Sequence, residues 1–195
     1  MAVDFAMNGM LHRAFLRELD RVQERVEAGD PAGARRHYAL FSQLLHQHHE
    51  GEDTYLFPLV VQRSTDEQET ATIAALEAEH EQLQAALAAC DDDFAGSGPL
   101  PEGTVADLTA LRMVLAAHCA HEEADGEPLL AKYISKADMK EFNDFNRQGD
   151  LSMLVFPWIA DGGSAADQKV YDVLPGPVRL FLKPVMQRKY RAYFR

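Results

Sequence analysis

The chain has 195 residues, 47% of them hydrophobic, with a net charge of −12 and two cysteines. That length and apolar share supply a folded domain with a buried core and exclude a disordered chain. The acidic balance excludes a nucleic-acid-binding role for the whole, and Cys90 and Cys119 form no motif that would suggest a disulfide framework.

The first helix is expected from about Asp4 to Ala28, stopping at Gly29. Asp30-Pro31 then supplies an N-cap and a first-turn proline for a second helix. That helix continues past Gly51 towards Arg63, with Pro58 bending or ending it. Ser64-Thr65-Asp66-Glu67 has the pattern of a capping box, opening a third helix that runs to about Cys90. The stretch Asp91 to Gly103, rich in Asp, Gly, Ser and Pro, is the longest clear loop. A fourth helix starts at Gly103 or Thr104 and reaches Gly126-Glu127-Pro128. Beyond it, Ser135-Lys136-Ala137-Asp138 opens a helix towards Gln148, and Leu151 to Ile159 holds the single tryptophan, Trp158. Asp161-Gly162-Gly163-Ser164 is a break, and Pro175-Gly176-Pro177 precedes a last helix with Val178, Phe181, Leu182 and Val185 on one face. No segment alternates like a strand. The expected fold is all-α: an up-down-up-down four-helix bundle over residues 1–130, with residues 131–195 as a helical extension packed on it.

Each of the four bundle helices carries one histidine on its apolar stripe. Phe5, His12, Phe15, Leu16, Leu19 and Val26 share the first stripe, and Phe41, Leu44, Leu45, His48, Glu52, Tyr55 and Leu56 the second. Ile73, Leu76, His80, Leu83 and Leu87 line the third, and Leu108, Leu111, Leu115, His118 and Glu122 the fourth. His48 precedes Glu52 by four residues, as His118 precedes Glu122, so each pair lies on one helix face. Each glutamate is followed six residues later by a proline, Pro58 or Pro128. The chain reads as two copies of one layout, a histidine and then His-x-x-x-Glu.

Two glutamates on apolar stripes are costly to bury without a cation between them. Imidazole with carboxylate suits iron, manganese or zinc, and two carboxylates able to bridge favour a two-metal site. No His-Glu-x-x-His zinc-protease motif is present, and the order within each pair reverses the Glu-x-x-His of ferritin-like di-iron helices.

The set His12, His48-x-x-x-Glu52, His80, His118-x-x-x-Glu122 resembles the hemerythrin and HHE cation-binding domains over about residues 5–130. The run His48-His49-Glu50-Gly51-Glu52-Asp53 through Leu56-Phe57-Pro58 is especially similar to bacterial members. The resemblance implies two iron ions with an oxo or hydroxo bridge, the four histidines as terminal ligands, and Glu52 and Glu122 as bridging carboxylates. Oxygen-carrying members have two histidines four apart on the third helix, where this chain has only His80, with Leu76 and Gln84 at the flanking positions. They also place an aspartate five residues after the last histidine, where Glu122 follows His118 by four. His49, Tyr55 and His121 are the candidates for the missing ligand or for its support. Asp53, Glu79, Glu81 and Glu123 adjoin ligands and read as solvated carboxylates, with acceptance from the ligand N–H groups as the alternative, while His37 and His46 read as surface histidines. Cys119 follows His118 directly and is expected to point off the metal face.

The implied function is redox handling of hydrogen peroxide or related oxidants, in the manner of a catalase or peroxidase. The alternatives are a module that binds or senses iron, dioxygen or nitric oxide, and a reversible oxygen carrier. No apolar run approaches the roughly 20 residues of a membrane span and the N-terminus lacks the form of a signal peptide, so the expected location is cytoplasmic. After Asp172 the chain has six basic and no acidic residues, which leaves −18 on the rest of a chain whose total is −12. The basic tail is expected to dock on the acidic bundle, with an anionic membrane surface or an acidic protein as the alternative partner.

Overall fold

Helix α1 spans Ala6–Glu27 and ends where Gly29 takes a φ of 70°, a left-handed turn that glycine adopts at no steric cost. The computed structural model describes residues 5–147 and 150–195. The expected helix limits at Asp4 and Gln148 lie outside the described residues. Asp30 caps α2 (Pro31–Tyr55) as its motif predicts, accepting from the Gly33 amide at 2.9 Å.

The two prolines that follow the glutamates act differently. A proline lacks an N–H and its ring crowds the carbonyl four residues back. In the first copy this ends α2 at Tyr55, and Pro58 sits in the first turn of a new helix, α3 (Phe57–Arg63). In the second copy the chain widens into a π turn over Glu122–Gly126, between α5 (Thr104–His121) and α6 (Glu127–Tyr133), with Pro128 in the first turn of α6. Such single π turns are concentrated at functional sites, and this one begins on Glu122.

Helix α4 runs Glu67–Phe94, and its limits differ from the expected ones at both ends. Its N-cap is Asp66, which accepts from the Gln68 amide, while Ser64 donates to Glu69 in place of forming the capping box. At the other end the helix continues through Asp91 to Asp93 because tertiary contacts hold it there: Phe94 stacks on Tyr38 at 4.2 Å, and Tyr38 donates to Asp91 at 2.7 Å.

The described residues form an all-helical protein with no strand. α1 packs on α2 and α5, and α4 on α5 and α2, which closes the four long helices into a bundle. Helix α7 (Lys136–Asn146) begins at the Ser135 capping box and lies across α2 so closely that a Cβ on Gly51 would come within 2.9 Å of Phe142. After a 3-10 turn at Asp150–Met153, α8 (Val155–Ala160) sets Trp158 edge-on against Phe15 at 5.2 Å. Arg17 and Arg21 of α1 donate to the last carbonyls of this segment, at Trp158, Ile159 and Asp161. A second 3-10 turn, Asp167–Val173, leads to α9 (Gly176–Tyr193).

Bundle and extension share one core, in which Phe15, Phe41 and Leu45 pack with Trp158, Val170 and Tyr171. A smaller cluster of Leu56, Phe57, Val60, Ile73, Leu76, Leu130 and Ile134 fills the other end. Replacing the fully buried Trp158 with Ala should cost about 3–5 kcal/mol in denaturant-midpoint measurements. Replacing the exposed Met113 with Ala should stay within about 0.5 kcal/mol. Equal midpoints for the two variants would contradict this packing of α8.

The tail helix departs from its expected face. Met186 and Tyr190 are buried and Leu182 packs against the core, but Val178, Phe181 and Val185 are exposed. His37 is also not a surface residue: it is buried, 2.6 Å from the buried Glu18, and Phe194 stacks on its ring at 4.2 Å. His46 is exposed, as its position suggests.

Candidate metal centre

His12 comes from α1, His48 and Glu52 from α2, His80 from α4, His118 from α5 and Glu122 from the π turn. These six side chains, together with His49, are each at most 5% exposed. They lie between the two apolar clusters, with Phe15 tilted on His48 at 5.7 Å and Phe57 stacked on His80 at 5.5 Å. Among the described residues, three overlapping groups bring ligand atoms within 4.8 Å of one another: His12, His48 and Glu122; His49, His80 and His118; and His48, His49 and Glu52.

These groups do not follow the two sequence copies. Glu122, from the second copy, joins the histidines of the first, its Oε2 lying 3.1 Å from His12 Nε2 and 3.6 Å from His118 Nε2. Glu52 reaches both ways with separate oxygens, Oε1 at 3.4 Å from His48 Nε2 and Oε2 at 3.8 Å from His80 Nε2. Each carboxylate thus spans two histidine groups, the placement that bridging two cations requires.

The ring orientations are held from outside. His80 Nδ1 donates to Asp53 at 2.7 Å, His118 Nδ1 to Glu79 at 3.0 Å and His12 Nδ1 to Glu123 at 2.9 Å. A carboxylate partner places the proton on Nδ1, so in the neutral imidazole the Nε2 lone pair points inward. Asp53, Glu79 and Glu123 therefore take the role of acceptors for ligand rings, the alternative to the solvated reading. Glu81 is exposed. On the inner side, His80 Nε2 faces His118 Nε2 at 3.2 Å, and two lone pairs at that distance repel unless a cation or proton lies between them. His12 Nε2, His48 Nε2, Glu52 Oε2 and Glu122 Oε2 are buried without a hydrogen-bond partner. Buried polar atoms are normally satisfied, and four orphans converging on one volume fit a metal.

The electrostatics agree. Burial pushes the Glu52 carboxyl well above its usual range, and the charge of Glu122 pushes the same way. Burial would also raise Glu122, but the close approach and charge of His12, with the charges of His48 and His118, outweigh it and hold this carboxyl low. Burial alone would lower the His12 pKa, yet contacts with Cys119, Glu122 and Glu123 outweigh it and raise the value well above the ordinary one. Cys119, expected to point off the metal face, joins none of the three groups. Burial brings His48 down to about 3, and lowers His49 as well. Both upward shifts favour the proton-bearing forms of His12 and Glu52, the direction expected where a cation's charge would otherwise offset the buried carboxylates.

Of the three extra candidates, only His49 faces the centre. It stacks on His80 at 4.1 Å and meets His118 edge-on at 5.2 Å. His121 turns outward to Glu79 at 2.8 Å and is half-buried. Tyr55 is only half-buried and packs on Phe145 of α7 at 5.3 Å. On α4, Gln84 is exposed, while Leu76 is buried in the smaller apolar cluster and offers no ligand atom. Asn8 was not among the sequence candidates, yet its amide donates to Glu122 at 2.9 Å and Glu127 at 3.1 Å. A polar residue one turn before His12, and buried with it, was the signal that could have found it.

A protein-family model described as Hemerythrin HHE cation binding domain matches residues 10–130. Among curated proteins and solved structures, none gives a significant match.

Proposed function

The chain belongs to the hemerythrin HHE cation-binding domain family, and from that premise we propose that it is a non-haem di-iron protein that consumes hydrogen peroxide or related oxidants. The observation that carries this reading is the convergence of inward Nε2 atoms from His12, His48, His80 and His118, joined by a ring nitrogen of His49, on two carboxylates that each span both groups. His12 and His48 would hold one iron, and His49, His80 and His118 the other, with Glu52 and Glu122 shared. Imidazole with carboxylate is a donor set that iron accepts.

When bound, two irons supply one-electron steps between ferrous and ferric states and coordination positions for a small oxygen-derived ligand. The chain's own residues orient and shelter. Asp53, Glu79 and Glu123 fix the imidazoles, and Asn8 holds one oxygen of Glu122. A crevice of about 50 Å³ reaches His48 and Glu52 between Met7, Leu11, Leu56, Met139 and Phe142. Its apolar walls suit dioxygen, peroxide or nitric oxide and keep larger or charged molecules out. Disproportionation of peroxide to water and dioxygen balances without a further reductant, so the site needs no second substrate pocket.

A second reading, a module that binds or senses such ligands, is favoured by one feature. Met139, Phe142 and Asn143 of α7 line the same crevice as His48 and Glu52, which ties the extension to the state of the centre. No helix among the described residues is long and apolar enough to cross a membrane.

The test is anaerobic loading with ferrous iron, metal analysis, and a peroxide assay. The expected result is uptake of two irons per chain and peroxide consumption that disappears in His118→Ala together with the iron absorption bands. Saturation at one metal would sink the two-iron assignment. Fully loaded protein that leaves peroxide untouched, yet binds dioxygen or nitric oxide reversibly and alters amide exchange in α7, would put the sensing reading in its place.

A further inference from the structure

We propose that the outward face of α9 is a docking surface for an anionic lipid bilayer, on which the helix lies flat. Seven large apolar side chains are exposed among the described residues; four of them, Val178, Leu180, Phe181 and Val185, lie on α9, and Val173 lies just before it. Scattered exposed apolar residues are ordinary, but a concentration on one element marks an interaction surface. Leu180 and Phe181 are 71% and 75% exposed and project into solvent. The helix itself is anchored, since Met186 and Tyr190 are buried and Tyr190 donates to Asp161 at 2.9 Å. Its exposed face is therefore presented by a docked helix.

Charge selects the occupant. The turns that follow the apolar half carry Arg188, Lys189, Arg191 and Arg195, which form no ion pair among the described residues, and no acidic residue follows Asp172. An apolar strip continued by uncompensated cations is the composition of a helix that lies in a bilayer interface. A fluid bilayer receives projecting Leu and Phe side chains without a matched pocket, whereas a protein partner would have to supply one. The −18 carried by the rest of the chain keeps the bundle turned away from the same surface. None of these residues belongs to the metal centre, so the surface stands whatever the centre binds.

The experiment is co-sedimentation of the full chain with vesicles of phosphatidylcholine alone or mixed equally with phosphatidylglycerol, at low and high salt. The expected result is partition onto the anionic vesicles that weakens with salt. The double variant Leu180→Glu, Phe181→Glu should lower that partition at least about tenfold, as should neutralising Arg188, Lys189 and Arg191 together. All of these side chains are exposed, and an unchanged melting curve would show that folding is intact. Three results would overturn the proposal: no partition onto anionic vesicles, equal partition onto both compositions, or partition indifferent to the substitutions. Lipid-free self-association that the double variant abolishes would also overturn it, and would assign the face to a second copy of the chain.

Discussion

Chelating the metal from loaded protein should lower its melting temperature by on the order of 10 °C. A ligand bound only by the folded state adds about 4 kcal/mol when its free concentration is roughly 1,000 times its Kd. For a chain of this size each kcal/mol moves the midpoint by about 2–4 °C. The loss should depend on pH, with a sign set by the site. Glu52 has its folded-state pKa raised by burial and by Glu122, and that of His12 is raised by Cys119, Glu122 and Glu123. Such groups stabilise the fold fully below their unfolded values, and the contribution is lost as pH rises through the folded values. His48 and His49 are shifted downward by burial, so their contribution is present above the ordinary histidine value and lost as pH falls below it. Metal-free protein should therefore weaken on the alkaline side, where Glu52 and His12 lose the protons that stand in for a cation, and again on the acid side, where His48 and His49 resist protonation. The gap between loaded and chelated melting temperatures should widen from neutral to alkaline pH. Loaded protein indifferent to chelation, or a gap that closes with alkali, would contradict a core in which protons on Glu52 and His12 replace the metal charge.

Replacing His49 with Ala should reduce the iron content of the chain by about half. His49 is the imidazole that accompanies His80 and His118, and neither Leu76 nor Gln84 can take its place. Loss of even an outer-sphere partner weakens a metal site by about 10–100-fold, and loss of a ligand should cost at least as much. His12 and His48 keep Glu122, so the first site should retain its metal. Free imidazole should restore the second iron by entering the space left by the side chain, an outcome that a purely packing role for His49 would not produce. His121→Ala and His46→Ala should leave iron content unchanged. Full iron content in His49→Ala, or equal losses in all three variants, would remove His49 from the site.

Both expectations rest on residues whose chemical type and spacing are legible in the sequence. A histidine on each of four apolar stripes, and a glutamate four residues after two of them, determine that imidazole and carboxylate face a common core, because residues four apart share a helix face. Asp30-Pro31 and Ser135 mark helix starts by local hydrogen bonding, and the structure places caps at both. These features belong to single helices, and the sequence by itself determined them.

The relations between helices were decided only by the tertiary structure. Which histidines Glu122 joins depends on how α5 is rotated against α1, and that rotation is set by the packing of side chains such as Phe15 and Leu115. The selection of Asp53, Glu79 and Glu123 as acceptors for ligand rings, and of His49 over His121 and Tyr55 as the inward side chain, follows from the same rotations. His37 shows the reach of this effect, since a position read as surface is covered by Phe194 from the far end of the chain. On α9 the stripe read from the sequence was split, Leu182 packing inward while Val178, Phe181 and Val185 face out. Periodicity reports that a helix has an apolar side, but which part of it is buried is settled by the surface it meets, and for α9 that surface is built largely by α8 and the two 3-10 turns before it.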